Sequence, residues 1–153
     1  MNKAIIALIA SLLIIACGGG PEKERPRSKK PVKKELANDK GIGEIKNVTL
    51  NAPLKSDMVD RGEAIFDMKC SACHRKTGTR VVGPGFAKVT ERRKPEWIMN
   101  MVTNVEVMLD KDPAAQALLK ECLVRMPNQN LSIDDARDVL EWMYANDGLE
   151  VSE

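Results

Sequence analysis

Cys70-Ser71-Ala72-Cys73-His74 is the stretch on which the reading of this 153-residue chain turns. Two thiols three residues apart, followed at once by an imidazole, have the spacing that attaches a c-type haem. The thiols add across the two vinyl groups of the macrocycle, and the histidine is then placed beneath the iron as its proximal ligand. Other uses of these residues fit less well. Half of a four-ligand zinc site would need a second Cys or His pair, and only Cys17 and Cys122 remain. A thioredoxin-like pair would sit in a βαβ surround, whereas the flanking segments read as helix. A disulfide across so short a loop would constrain little. One covalently attached haem c is therefore the expectation.

The N-terminus reads as a targeting segment. Met1-Asn2-Lys3 is a short positive start, and Ala4 to Ala16 is apolar apart from Ser11, too short to span a bilayer. The run ends in Leu13-Ile14-Ile15-Ala16-Cys17-Gly18, which resembles a bacterial lipobox. Residues 1–16 are read as a lipoprotein signal peptide and Cys17 as the lipidated residue, with an ordinary secretory signal as the alternative. Residues 17–55 are read as a lipid-anchored, basic, flexible tether. Between Glu22 and Lys34 seven Lys or Arg face two Glu, and almost nothing apolar precedes Val32. That run suits either anionic headgroups or plain solvent. As a random coil the tether reaches about 30 to 35 Å. The more apolar Ile42–Leu54 has a second reading, as an ordered arm along the domain.

Residues 56–153 form the expected domain. They carry 13 Lys plus Arg against 17 Asp plus Glu, a formal −4, so the +2 of the whole chain comes from the leader and tether. No nucleic-acid patch, phosphate loop or repeat is present in the sequence. Ser56 or Asp57 is expected to cap a helix from Met58 to about Lys69. Pro95 opens a second to about Val107, with Trp97, Ile98, Met101, Val102 and Val105 inward. Asp112-Pro113 starts a third to Cys122 or Leu123, and Ser132 a fourth to about Asn146. No segment alternates like a strand, so the class is all-α. Cys122 is left over, as a small core residue or as a redox thiol.

The region from about Met58 to Tyr144 resembles a class I monohaem cytochrome c. Gly62 and Phe66 match the family's Gly and aromatic on the first helix, and Val139 and Trp142 match the aliphatic and aromatic that meet them on the last. The resemblance implies about four helices around one haem. It also implies an axial methionine in the loop before the last helix. His74 is the single histidine, which excludes bis-histidine ligation within one molecule. Of the eight methionines, Met126 in Arg125-Met126-Pro127-Asn128 holds the family's position. An open or lysine-ligated iron is the alternative. By the same resemblance Pro84 accepts the proximal ring N–H, and Arg92, Arg93 and Trp97 bind the haem propionates. The other reading of those three is a solvated basic turn with a core tryptophan. Asn128 and Asn130 brace the methionine loop or simply make a turn.

These readings describe an electron carrier rather than an enzyme, since an iron with both axial positions filled offers substrate no site. Electrons would come from a membrane quinol-oxidising complex and pass to a terminal reductase or oxidase. The Glu91–Trp97 stretch resembles small anchored cytochromes associated with nitrous oxide reduction, which points to nitrous oxide reductase as one acceptor. The protein is expected to be a monomer in the cell envelope, lipid-anchored and facing the periplasm or exterior, with no nucleic-acid partner. The competing function is a five-coordinate haem that binds or senses NO, CO or peroxide.

Overall fold

The computed structural model describes residues 39–153. The signal peptide, Cys17 and the tether up to residue 38 lie outside the described residues. Among the described residues the chain forms α1 (Ser56–Ile65), a π-helical turn (Phe66–Cys70), α2 (Val89–Arg92), α3 (Pro95–Thr103), α4 (Val105–Lys111), α5 (Pro113–Cys122) and α6 (Ile133–Asn146). Their one β-type contact is an isolated parallel bridge between Leu54 and Val151. The all-α class expected from the sequence is the class observed.

The helix count differs from expectation for local reasons. The helix expected over Pro95–Val107 breaks at Asn104 (φ −140°, ψ 45°), whose side-chain N–H donates to the Ile42 carbonyl at 3.3 Å. Thr, Asn and Val are weak helix formers, so the Thr103-Asn104-Val105 junction yields to that tertiary bond. Neither Ser56 nor Asp57 caps α1. Lys55 precedes the helix without a side-chain cap, and Asp57 instead pairs with Arg61 at 2.9 Å. The other two starts are as expected. Asp112 accepts from the Ala114 and Ala115 amides, and Ser132 forms a capping box with Asp135.

The core is built where α1 crosses α6. Val139 and Trp142 are buried, Phe66 stacks on Trp142 with ring centroids 4.4 Å apart, and Gly62 lets the two backbones meet. A Cβ on Gly62 would lie 2.8 Å from the Trp142 Cβ and would strike the Asp138 carbonyl. The glycine is therefore required for the crossing rather than for backbone freedom.

Residues 39–55, placed at the end of the tether by the boundary drawn at Ser56, lie against the domain as an ordered arm. Its backbone hydrogen bonds are met by polar side chains one helical turn apart along one face. Asn100, 1 % exposed, donates to the Lys40 and Ile45 carbonyls at 3.0 and 2.9 Å and accepts from the Ile45 amide at 3.1 Å. Glu96 accepts from the Val48 amide at 3.3 Å and pairs with Lys40 at 3.1 Å. Further along, Asn51 donates to Glu141 at 2.6 Å, and buried Leu54 exchanges backbone bonds with Glu150 and Ser152. An extended segment has no internal ladder, so these partners decide whether it is ordered.

Two predictions follow from the arm. Asn100→Ala removes the side-chain bonds to three arm backbone groups, the Lys40 carbonyl and the Ile45 carbonyl and amide, and the arm should loosen by about 1–3 kcal/mol. Hydrogen exchange at the amides of residues 42–48 would accelerate accordingly, while amides of α6 stay protected. Burial opposes ionisation of Glu96, but hydrogen bonds from its own amide, Lys40 and the Val48 amide outweigh it and hold its carboxyl below the usual range. Its contribution is thus present above the ordinary carboxylate pKa and is lost as pH falls through the lowered folded value. Acid titration of arm exchange should show this loss, and Glu96→Gln should flatten it.

Candidate functional site

The π-helical turn ends on the first attachment cysteine, Cys70, and the next turn carries Cys73 and His74. Its wider winding closes through Ser71 N–H to the Phe66 carbonyl at 2.9 Å, and the chain then folds back with Cys73 and His74 amides on the Cys70 carbonyl at 3.1 and 2.9 Å. Cys70 is buried, Cys73 is half-buried, and neither is in a disulfide. Burial pushes the Cys70 thiol up to about 11.

His74 is held from three sides. Its Nδ1 lies 2.8 Å from the Pro84 carbonyl, which selects the tautomer with the proton on Nδ1 and leaves the Nε2 lone pair for a metal. Phe86 packs on the ring at a centroid distance of 4.7 Å. Gly83 also lies against the ring: a Cβ there would come within 2.8 Å of Nε2, 2.7 Å of Nδ1 and closer still to Cε1. Burial lowers the His74 pKa, opposed by the Pro84 bond, so the imidazole is kept in the neutral form that ligates.

Cys70, Cys73, His74 and Pro84 line one side-open crevice together with Arg92, Arg93, Trp97 and Met126. With the open mouth included, the crevice and the solvent space before it take up about 1310 Å³. Much of the rest of its wall is apolar: Ile98, Met101 and Val102 from α3, Leu118 and Leu119 from α5, and Val139 and Met143 from α6. Met126 is half-buried, whereas the other residues of 123–128 are exposed. By contrast Met99 and Met108 are sealed in the core, and Met68 is 77 % exposed.

The cytochrome c family model matches residues 59–146. This chain belongs to the cytochrome c family. It is similar to the cytochrome c from Rhodothermus marinus, at 33 % identity and a TM-score of 0.68 over 71 % of this chain and 93 % of that one. An engineered form of that protein, Rma TDE, gives 32 % identity and 0.67 over 71 % and 94 %. The same engineered form bound to a carbene intermediate gives 33 % and 0.65 over the same shares. Comparison with curated proteins gives no match.

As a cytochrome c the chain carries haem c covalently and works by haem-based electron transfer. The crevice fits that group: two cysteines at its wall, an imidazole with Nδ1 anchored, a glycine where a Cβ would invade the ring, and apolar walls. Bound there, the haem supplies an iron that changes oxidation state by one electron. The protein supplies attachment, the orientation of His74 and a water-poor surround.

The structure also shows how the other expected residues are used. The Trp97 ring lines the crevice, but its N–H donates to Asp112 at 3.1 Å, so the carboxylate it meets belongs to the protein. The Arg92 guanidinium donates to the Ala87 and Gly85 carbonyls at 2.6 and 3.2 Å, bracing the loop that carries Pro84. Arg93 stacks on Trp97, 4.7 Å from the ring centroid. Asn128 accepts from the Asn130 amide at 2.8 Å, making the turn reading the observed one. Cys122 is not in the core. It lines the crevice half-buried and accepts from Arg80 at 3.4 Å.

The roles of Phe86, Gly83, Lys69 and Asp112 at the site escaped the sequence reading. Phe86 touches His74, Phe66 and Trp142, and Lys69 donates to the Gln129 carbonyl at 3.2 Å, linking the attachment turn to the methionine loop. The rarity of phenylalanine, two in the chain, was the available signal for Phe86. Asp112 was visible only as a helix cap.

Proposed function

We propose that this protein is a membrane-tethered, single-haem electron carrier whose iron is ligated by His74 and Met126. The observation that carries the reading is the convergence of Cys70, Cys73, His74 and Met126 on one apolar crevice. With both axial positions filled by protein, the iron changes charge with little rearrangement, and sulfur on the second face favours the reduced state relative to a second imidazole. Such a carrier has no substrate site, so it is not an enzyme. Arg93, together with the Arg92 guanidinium N–H groups that the Ala87 and Gly85 carbonyls leave unengaged, is suited to the haem propionates.

The signal-like leader, Cys17 and the basic tether support export and lipid anchoring in the cell envelope, facing the periplasm or exterior. The partners on this reading are a membrane quinol-oxidising complex as donor and a terminal reductase or oxidase, nitrous oxide reductase among them, as acceptor. The charged residues that line the crevice are Lys69, Arg92, Arg93 and Arg125, all basic, in a domain of net negative charge. Exposed Val81, Val82, Leu123 and Val124 lie beside it in sequence or in the wall. An acceptor with an apolar patch rimmed by carboxylates complements that mouth.

Optical spectra of the oxidised and reduced protein, with and without CO, test this reading. A c-type spectrum insensitive to CO, with the weak long-wavelength charge-transfer band of methionine sulfur on ferric haem, is the expected result. A high-spin spectrum that shifts with CO or NO would replace it by the ligand-binding reading. Cys70→Ser with Cys73→Ser should abolish covalent haem staining in a denaturing gel; full staining would refute attachment at this motif.

A further inference from the structure

Asp112 is 1 % exposed and stands directly behind Trp97, whose ring forms part of the crevice wall. One of its oxygens, Oδ1, accepts three N–H groups: Trp97 Nε1 at 3.1 Å, the Ala114 amide at 3.0 Å and the Ala115 amide at 2.9 Å. The other, Oδ2, is buried without a hydrogen-bond partner among the described residues. Three N–H donors thus converge on one oxygen at the start of α5, where the helix dipole complements negative charge. On the arm side Gly41 packs against Trp97 and Met108, so the pair is shielded from water. Its charge is therefore poorly screened, and the indole that it holds by hydrogen bond reaches the crevice wall.

We propose that Asp112 is a positioning residue of the redox site that locks the Trp97 ring as crevice wall and, through its buried negative charge, biases the haem toward the oxidised state. This rests on the electron-transfer reading but not on Met126 being the axial ligand. The sign is fixed by electrostatics. Reduction adds negative charge next to a buried carboxylate, so removing that carboxylate favours reduction. Taking away one of its hydrogen-bond donors leaves it less neutralised and favours oxidation.

Asp112→Asn keeps an oxygen for Trp97 and for the α5 cap, both of which asparagine can serve, while removing the charge. Against a fixed redox mediator, haem-loaded Asp112→Asn should shift toward the reduced form by about fivefold in equilibrium constant. Trp97→Phe should shift the other way, toward the oxidised form. A role confined to packing would loosen the wall in both variants and move them in the same direction, which would overturn the proposal. So would an unshifted Asp112→Asn that is folded and haem-loaded. If Asp112→Asn does not fold, Trp97→Phe decides alone: an oxidised shift supports the proposal and its absence refutes it. The charge-transfer band recorded on the unmodified protein reports Met126 separately, so loss of that reading is distinguishable.

Discussion

Met126→Ala is expected to leave the haem covalently attached, abolish the sulfur-to-iron charge-transfer band, open the ferrous iron to CO and lower the reduction potential. Attachment persists because it depends on Cys70 at the end of the π-helical turn and Cys73 in the turn that follows it, which the 123–131 loop does not build. The potential falls because the thioether is a soft donor that stabilises the ferrous state, and water or an open position does not replace it. Axial identity spreads haem potentials over ~0.8 V, so a shift on the order of 0.1 V or more is the expected scale. Met101 and Met143 also line the crevice, but they are fixed on helices α3 and α6 and should not substitute. A variant with unchanged potential and band would remove Met126 from the iron.

Gly62→Val is expected to be the most destabilising single change in the helical core. The Cβ it adds meets the Asp138 carbonyl carbon at 2.6 Å and the Trp142 Cβ at 2.8 Å. The first of these is backbone within α6 and cannot rotate away, so the two helices must part. That separation also pulls Phe66 from Trp142 and, through the π-helical turn, displaces Cys70. Overpacking typically costs about 1–3 kcal/mol, and a clash with backbone should reach or exceed the top of that range. Domains of this size hold only about 5–15 kcal/mol in all. Guanidinium unfolding followed by Trp fluorescence measures the loss. Gly78→Ala is the control, because a Cβ there meets nothing within 4 Å, and it should stay within about 0.5 kcal/mol.

The legible parts of this protein were those set by local chemistry. Asp112-Pro113 and Ser132 mark helix starts because a short side-chain oxygen satisfies amides two or three residues on, whatever the rest of the fold does. The arm was less legible. Ile42–Leu54 is apolar enough to bind somewhere, yet its order depends on Glu96, Asn100, Asn104 and Glu141, which lie 48 to 90 residues away in sequence. Polar residues at four-residue spacing, Glu96, Asn100 and Asn104, beside an otherwise apolar helix face were the trace of that contact. Their partners were not traceable, because backbone acceptors carry no sequence signature.

The sequence by itself determined the attachment motif, the helical class and the Gly62 crossing. Thiol spacing, helical period and capping act over a few residues, and the family's crossing residues lie in fixed register. Tertiary structure alone decided what each polar group at the crevice is used for. Trp97 and Arg92 have the right donors for a propionate, but Asp112 takes the first and the Gly85 and Ala87 carbonyls take the second. The physical reason is that a hydrogen bond goes to the best acceptor within about 3 Å, and only the folded chain determines which acceptor that is.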